Sequence, residues 1–292
     1  MEHKIKGLWD AYAYDQISYL VQYRWGKQVI EWRRWNGNEI VMDAGCGTGL
    51  LTRDLAKKVP NGKVYAVDID SNMIKQARTN LRFLDNVEIV QSSFTDVELP
   101  RKLDVIFSNS AFHWVQDHRS AFQNFWKILK PAKIHKVDDS DYPIRTDKCG
   151  QLLIQCGAYG NLQHIITVLE RIAHSHQFSS YFINWKQPWH FAKLDETYKL
   201  LEEAGYVNRN VYSTEDSAVF PNQNSYAKFI KTVIMKSYLE HLSASNNNNN
   251  EEALKSLFFN MFLNEIKKNN NRLGEQQWRI DFLRLNIVAY KP

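Results

Sequence analysis

The chain has 292 residues, 44% of them hydrophobic and 24% charged, the balance of a globular protein able to bury a sizeable core. Its net charge of +5 comes from Lys and Arg spread along the chain rather than gathered in a basic arm, so nucleic acid is not an expected partner. Three cysteines, Cys46, Cys149 and Cys156, are too few and too scattered for a disulfide framework or a zinc ribbon.

The opening MEHKIKGLWDAY lacks the apolar centre of a secretion signal, and no apolar run reaches about 18 residues. A cytoplasmic setting without membrane is expected. Residues 8–35 carry Leu8, Tyr12, Ile17, Leu20, Val21, Trp25, Val29, Ile30 and Trp32 at helical spacing, and four of the nine tryptophans fall before residue 40. The turn NGNE at 36–39 ends this stretch. Ile40–Ala44 reads as a short buried strand. LLTRDLAKKV follows as a helix stopped by PNG, then Lys63–Ile69 as a strand, and SNMIKQARTNL as a helix capped by Asp70 or Ser71. NVEIVQ and Leu103–Ser110 are further strands, RSAFQNFWKILK a helix, and Gln151–Gly157 a fifth strand. Strands alternating with helices predict an α/β fold with a mostly parallel sheet.

After Gly160 two mainly helical stretches, about 161–182 and 225–268, look like a cap on that sheet. Between them lie the helix LDETYKLLEEAG and the strand NRNVYSTEDSAVF. RIDFLRLNIVAYK alternates apolar and polar residues as a final strand. Asn246–Asn250 and Asn269–Asn271 read as exposed loops. His174 and His176 read as helix surface, not as metal ligands. The expected organisation is N-terminal cap helices over 1–38, a core over 39–160, and cap elements over 161–292 interleaved with the last core helix and strands.

The stretch VMDAGCGTGLLTRDL puts Gly45, Gly47 and Gly49 at a strand-to-helix turn, in a chain with only 12 glycines. Backbone without Cβ lets a ligand come close. A dinucleotide motif would need glycine at Leu50, and a P-loop would need Lys and Ser or Thr where Leu50 and Leu51 stand. D-A-G-C-G-T-G, with Asp43 two residues before the first glycine, resembles instead the motif of class I S-adenosylmethionine methyltransferases. That cofactor has no phosphate. It carries an amino-acid end and a sulfonium, and an acid near the loop suits its cationic side. Asp68, at the end of the second strand, stands where an acid can accept from both ribose hydroxyls. Ile69 beside it joins the expected cofactor site. The resemblance places Met73 on the adenine, with a plain core role as the other reading. The family's Gly-Asp after the third strand is replaced by Ser92 and Ser93. Ser93, the backbone of Phe94 and Asn109 complete the expected cofactor set.

SNSAFHWVQDHRSAFQNFWKILKP, WDAYAYDQISYLVQYRWG and QLLIQCGAYGNL narrow the resemblance. Together they are similar to the trans-aconitate methyltransferase-like branch and to the juvenile hormone acid methyltransferases. This implies a Rossmann-like sheet of seven strands, the last antiparallel, with helices on both faces and a helical cap over the acceptor. It places Gln22, His113 and Trp114 over the acceptor, with Tyr14 and Tyr19 as weaker candidates. A carboxylate acceptor, ionised at pH 7, needs donors to hold it and no base. The expected reaction is carboxyl O-methylation of a small organic acid by a monomer. The alternatives are O- or C-methylation of an apolar metabolite with His113 as base, or a cofactor-binding protein without catalysis. SNSAF lacks the Asn/Asp-Pro-Pro-Tyr/Phe motif of base-amine methylation. Residues 132–149 read as a charged loop inserted where the family has Gly-Gly, at the sheet end away from the cofactor.

Overall fold

The computed structural model describes residues 9–11, 19–132, 149–244, 250–273 and 278–292. Seven strands form one sheet: β1 (Ile40–Ala44), β2 (Lys63–Asp68), β3 (Val87–Gln91), β4 (Val105–Asn109), β5 (Gly150–Gly157), β6 (Val207–Phe220) and β7 (Trp278–Lys291). Their order is β3-β2-β1-β4-β5-β7-β6. The runs IVMDA, VIFSN and GQLLIQCG are buried along their whole length, as strands covered on both faces must be. β1 to β5 pair in parallel, Val41 opposite Val64 and Val105, and Val105 opposite Gln151. β7 runs antiparallel to β5, from Gly150 opposite Lys291 to Gly157 opposite Arg284. The strand order reverses between β1 and β4. In such sheets the crevice for a ligand opens there, beyond the carboxyl ends of the strands.

The helices of this part are α1 (Arg24–Ile30), α2 (Leu50–Lys58), α3 (Ser71–Leu81) and α4 (His118–Ile128). The core beside the switch point joins Val29 and Ile30 of α1 to Val41, Leu55, Val64, Val105, Phe107 and Leu153, each at most 2% exposed. Each such side chain contributes about 1.5–3 kcal/mol by leaving water. The predicted N-terminal helix is shorter than its periodicity. Residues 12–18 lie outside the described residues, a π-helical turn spans Tyr19–Tyr23, and α1 stops at Ile30. Tight bonds from Glu31 N to Gln28 O and from Trp32 N to Val29 O close it, and the Trp35 indole donates to Ile30 O at 2.8 Å. Trp32 and Trp35 kept the apolar spacing because they fold back on the same core.

The chain divides into two compact units. Residues 1–159, 189–214 and 284–292 form the first, which also holds α6 below, and 160–188 with 215–283 form the second. The second contains α5 (Gln163–Ala173), α7 (Gln223–Phe229), α8 (Lys236–Ala244) and α9 (Glu251–Leu273); α6 is Leu194–Glu203. The helix expected to reach residue 182 ends at Ala173. Successive turns follow, closed by Ser175 N to Ile172 O and Phe178 N to Ser175 O. Phe178 and Phe182 nevertheless stay buried against Phe258, at 5.0 and 5.7 Å between rings, so the apolar spacing persisted without the helix. Asn269–Asn271, expected as a loop, lie within α9. The buried Phe258, Phe262 and Ile266 anchor that helix upstream, and packing overrides the weak helix propensity of Asn. Residues 245–249 and 133–148, the bulk of the other Asn tract and of the inserted loop, lie outside the described residues. Among the described residues no helix is long and apolar enough to cross a membrane.

Candidate functional site

The glycine turn leaves β1 at Ala44 and enters α2 at Leu50. Gly45, Gly47 and Gly49 all have positive φ, at 77°, 54° and 89°. Gly45 N and Cys46 N donate to Val67 O at 2.8 and 3.0 Å, which ties the turn to the end of β2. A Cβ on Gly45 would stand 2.1 Å from the Cβ of Ala111, so packing alone excludes a side chain there. A Cβ on Gly47 would meet no atom within 4 Å. Its bareness faces open space, as a ligand's approach requires. Gly47→Ala should therefore cost the empty protein only the left-handed strain of about 1–2 kcal/mol. It should lower cofactor affinity at least about tenfold, or about 1.4 kcal/mol, because a methyl would fill the ligand's space. Gly45→Ala should destabilise the fold first. Thermal shifts with and without S-adenosylhomocysteine separate the two; equal ligand shifts in wild type and Gly47→Ala would remove the loop from the site.

Two acids flank this turn. Asp43, 2% exposed, accepts from Thr52 Oγ1 at 2.6 Å. Burial raises its carboxyl from the ordinary 3.8 to about 7, against the lowering effect of that hydroxyl. Asp68 accepts from Gly47 N at 2.8 Å and from Asp70 N at 2.9 Å. Burial raises it to about 6, less far because backbone N–H groups favour its ionised form. Asp70 caps α3, accepting from Asn72 N at 2.8 Å and Met73 N at 3.0 Å, which leaves Asp68 free of the capping role. Ile69 is 39% exposed and Met73 is 4% exposed.

Beyond β3, Ser93 Oγ donates to Asp96 Oδ2 at 2.5 Å, and Asp96 N donates back to Ser93 Oγ at 3.2 Å. Phe94 is buried, its ring 5.5 Å from Phe125, and its carbonyl accepts from Asn124 at 3.0 Å. At the end of β4, Asn109 Nδ2 donates to Gln22 O at 3.0 Å, while Asn109 Oδ1 is buried without a hydrogen-bond partner among the described residues. Ser110 follows with φ 56°, an uncommon conformation for a residue with a side chain and a mark of a constrained site.

Of the expected acceptor residues, His113 and Trp114 follow β4, and Gln22 is tied to the end of that strand through its backbone oxygen on Asn109. Phe112–Trp114 form one short helical turn. Gly157 N donates to His113 Nδ1 at 3.2 Å, and His190 N donates to His113 O at 2.8 Å. An accepting Nδ1 puts the neutral ring's proton on Nε2, so His113 presents a donor. Burial, with the neighbouring His118 as a smaller cause, pushes its imidazole down to about 3. The Trp114 ring lies 5.5 Å from Trp9 and 5.8 Å from Trp189. Gln22 sits half-buried in the π-helical turn, whose Tyr23 hydroxyl donates to Asp54 at 2.6 Å on α2. Tyr14 and the side chain of Tyr19 lie outside the described residues. Trp9, Thr52 and Gly157 were not singled out from the sequence as site residues. Thr52 sits in the motif segment and could have been found there; the other two are placed by distant segments.

Residues 41–132 match the methyltransferase domain family. A malonyl-[acyl-carrier protein] O-methyltransferase of Priestia megaterium is 25% identical over 238 residues, 82% of this chain and 78% of that one. An uncharacterized methyltransferase of Schizosaccharomyces pombe is 27% identical over 202 residues, covering 68% and 70%. The chain is a class I S-adenosylmethionine-dependent methyltransferase. In fold the methyltransferase is similar to phosphoethanolamine N-methyltransferase 2 of Haemonchus contortus, solved with S-adenosyl-L-methionine. The TM-score is 0.54 at 16% identity, over 97% of this chain and 56% of that one.

The residues present fit this cofactor in kind. An amino-acid end, a sulfonium and a ribose diol offer cations and donors. The methyltransferase's crevice offers the carboxylates of Asp43 and Asp68, the orphaned oxygen of Asn109 and the bare face of Gly47.

Proposed function

We propose that this methyltransferase transfers a methyl group to a carboxylate of a small organic acid. S-adenosylmethionine supplies the electrophilic methyl on a sulfonium. Asp68 accepts from the ribose hydroxyls beside Ile69, and Gly47 lets the backbone close on the cofactor in the turn that Gly45 and Gly49 shape by their positive φ and close packing. Asn109 Oδ1 takes a hydrogen bond from its ammonium, which Asp43 favours by charge. Met73 and Phe94 with Ser93 border the adenine. At the acceptor end Gln22, His113 and the Trp114 indole donate to the carboxylate and align it with the methyl.

The observation that carries this reading is the bond from Gly157 N to His113 Nδ1. A His113 that keeps its remaining proton on Nε2, in surroundings that hold its pKa near 3, is a donor and a poor base. A carboxylate needs that donor. An alcohol or a carbon acid needs a base. The similarity to a malonyl-[acyl-carrier protein] O-methyltransferase supports the same choice, since a malonyl group ends in a carboxylate. The resemblance to the trans-aconitate methyltransferase-like branch, which places Gln22, His113 and Trp114 at the acceptor, favours the same choice.

Acids of three to six carbons and malonyl-acyl carrier protein, each offered with labelled cofactor, should yield base-labile methyl esters. At saturating cofactor kcat should be flat from pH 6 to 8. Gln22→Ala and Trp114→Phe should each lower kcat/KM by about 10- to 100-fold, the loss of a donor to a charged group, with cofactor affinity nearly unchanged. His113→Asn keeps an oxygen for the Gly157 N–H and should keep much activity. A drop of about 10³-fold in His113→Asn with a silent Gln22→Ala would favour general-base methylation instead.

A further inference from the structure

Residues 189–191 contact the turn that carries His113 and Trp114, each through its own side chain or backbone. The Trp189 ring lies 5.8 Å from that of Trp114, and the Phe191 ring 5.5 Å from that of His113. Between them His190 donates its N–H to His113 O at 2.8 Å. Its imidazole adds two bonds of its own. Nδ1 lies 3.2 Å from Gln116 O, and Nε2 lies 3.2 Å from Glu196 Oε1 in the first turn of α6. The other oxygen of Glu196 accepts from Lys193 N at 3.4 Å, which ties the carboxylate to the start of its own helix.

A carbonyl and a carboxylate are both acceptors, so only the doubly protonated ring of His190 donates to the two together. His118 stacks on it, the ring centres 4.3 Å apart and the planes at 17°. His118 Nε2 lies 3.1 Å from Phe112 O and carries the proton for that bond, while its Nδ1 is buried with no hydrogen-bond partner among the described residues. Burial, and after it the charge of His190, push the His118 imidazole down to about 4. The stack therefore carries one charge, on the more exposed ring, where Glu196 offsets it. Neighbouring charged groups are engaged elsewhere: the Lys193 ammonium lies over the Tyr159 ring, Asp117 accepts from Ser120, and Arg119 pairs with Glu203.

We infer that His190 is a positioning residue for the acceptor site, holding the turn that carries His113 and Trp114 in place before the acceptor binds. The inference rests on the reading that these two residues hold the acceptor, and not on the acceptor's charge. The stacked pair grips the turn at both ends, His118 at Phe112 O and His190 at Gln116 O, and α6 anchors the outer ring through Glu196. Losing the ring bonds of His190 lowers the fraction of molecules whose turn is in place. Acceptor binding must then supply that ordering, so KM rises by the inverse of the fraction, while kcat, reached with acceptor bound, is kept.

The test uses the full-length protein and two readouts. His190→Phe keeps the backbone N–H on His113 O and an aromatic ring against His118, but has no ring donor. Trp114 N and Val115 N are bonded within the turn, to Ala111 O and Phe112 O, so their exchange reports its opening. Hydrogen exchange read by mass spectrometry, without acceptor, should be about three- to tenfold faster than wild type in peptides covering 112–117, the loss of one or two half-exposed bonds. Peptides covering β1 and β2 should be unchanged. With saturating S-adenosylmethionine, and glutarate or malonyl-acyl carrier protein as acceptor, KM should rise by the same factor while kcat and S-adenosylhomocysteine affinity hold. His190→Asn puts an amide donor where Nδ1 stood and should recover most of the KM. A ring that only packs would leave His190→Phe like wild type in both readouts, and that result overturns the inference. Faster exchange throughout the protein, or a loss confined to kcat, overturns it too. Faster exchange over 112–117 alone, in a protein that methylates neither acid, keeps the holding role of His190 and removes the carboxylate reading.

Discussion

Asp68→Ala should weaken binding of S-adenosylmethionine and S-adenosylhomocysteine by about 10- to 150-fold. The figure follows from losing hydrogen bonds to a charged acceptor, about 1.5–3 kcal/mol. The carboxylate is held by Gly47 N at 2.8 Å and Asp70 N at 2.9 Å, one from the glycine turn and one from the cap of α3. Removing it also frees the Gly47 N–H, so the empty protein should lose about 1–2 kcal/mol of stability for an unsatisfied donor. Because α3 keeps its own cap at Asp70, the fold should survive. Calorimetry with S-adenosylhomocysteine at a temperature where circular dichroism shows the variant folded measures the loss directly. Unchanged affinity in a folded variant would remove Asp68 from the ribose site.

The parallel half of the fold was legible because each strand is a short apolar run bounded by turn residues, and the central runs are buried on both faces. IVMDA and VIFSN could hardly be anything else. The Asp70 cap was legible because capping is a local bond between neighbours. Periodicity failed where apolar spacing outlasted the helix, at Trp32, Trp35, Phe178 and Phe182. Trp32, Phe178 and Phe182 pack inward from turns that hydrogen-bond at three residues instead of four. Composition failed at Asn269–Asn271, where a long helix anchored upstream carried a polar tract along. In the candidate site, the residue types toward the cofactor could be read from one contiguous motif. The proton position on His113 could not, since Gly157, 44 residues away, fixes it. Sequence patterns record what neighbours along the chain do to one another. The contact between His113 and Gly157 joins segments that meet only in the folded sheet.

Asp43→Asn should make the empty protein more stable above pH 7 and less able to bind its cofactor. Asp43 is buried, and that burial raises its carboxyl from 3.8 to about 7. A folded pKa above the unfolded one means the native state holds more protons than the unfolded state between those values. This contribution to stability therefore falls as pH rises from about 4 to about 7, and the whole of it is gone above about 7. At 1.36 kcal/mol per pH unit the ionised carboxylate costs the empty fold at most about 4 kcal/mol. The amide of the variant would keep an oxygen for the Thr52 hydroxyl without the charge. The variant's melting temperature should exceed that of wild type by several degrees at pH 8, at about 2–4 °C per kcal/mol, and the gap should close toward pH 4. On the proposed reading the cofactor's cations offset that cost. Binding to wild type should release a proton at pH 6 to 7, seen as a buffer-dependent enthalpy, and affinity should rise with pH through that window. In Asp43→Asn the proton release should shrink to the smaller part supplied by Asp68, which burial raises to about 6. Affinity should drop about tenfold or more, or about 1.4 kcal/mol. A variant no more stable than wild type at pH 8, with the same proton release, would show that Asp43 ionises in the empty protein at its ordinary pH.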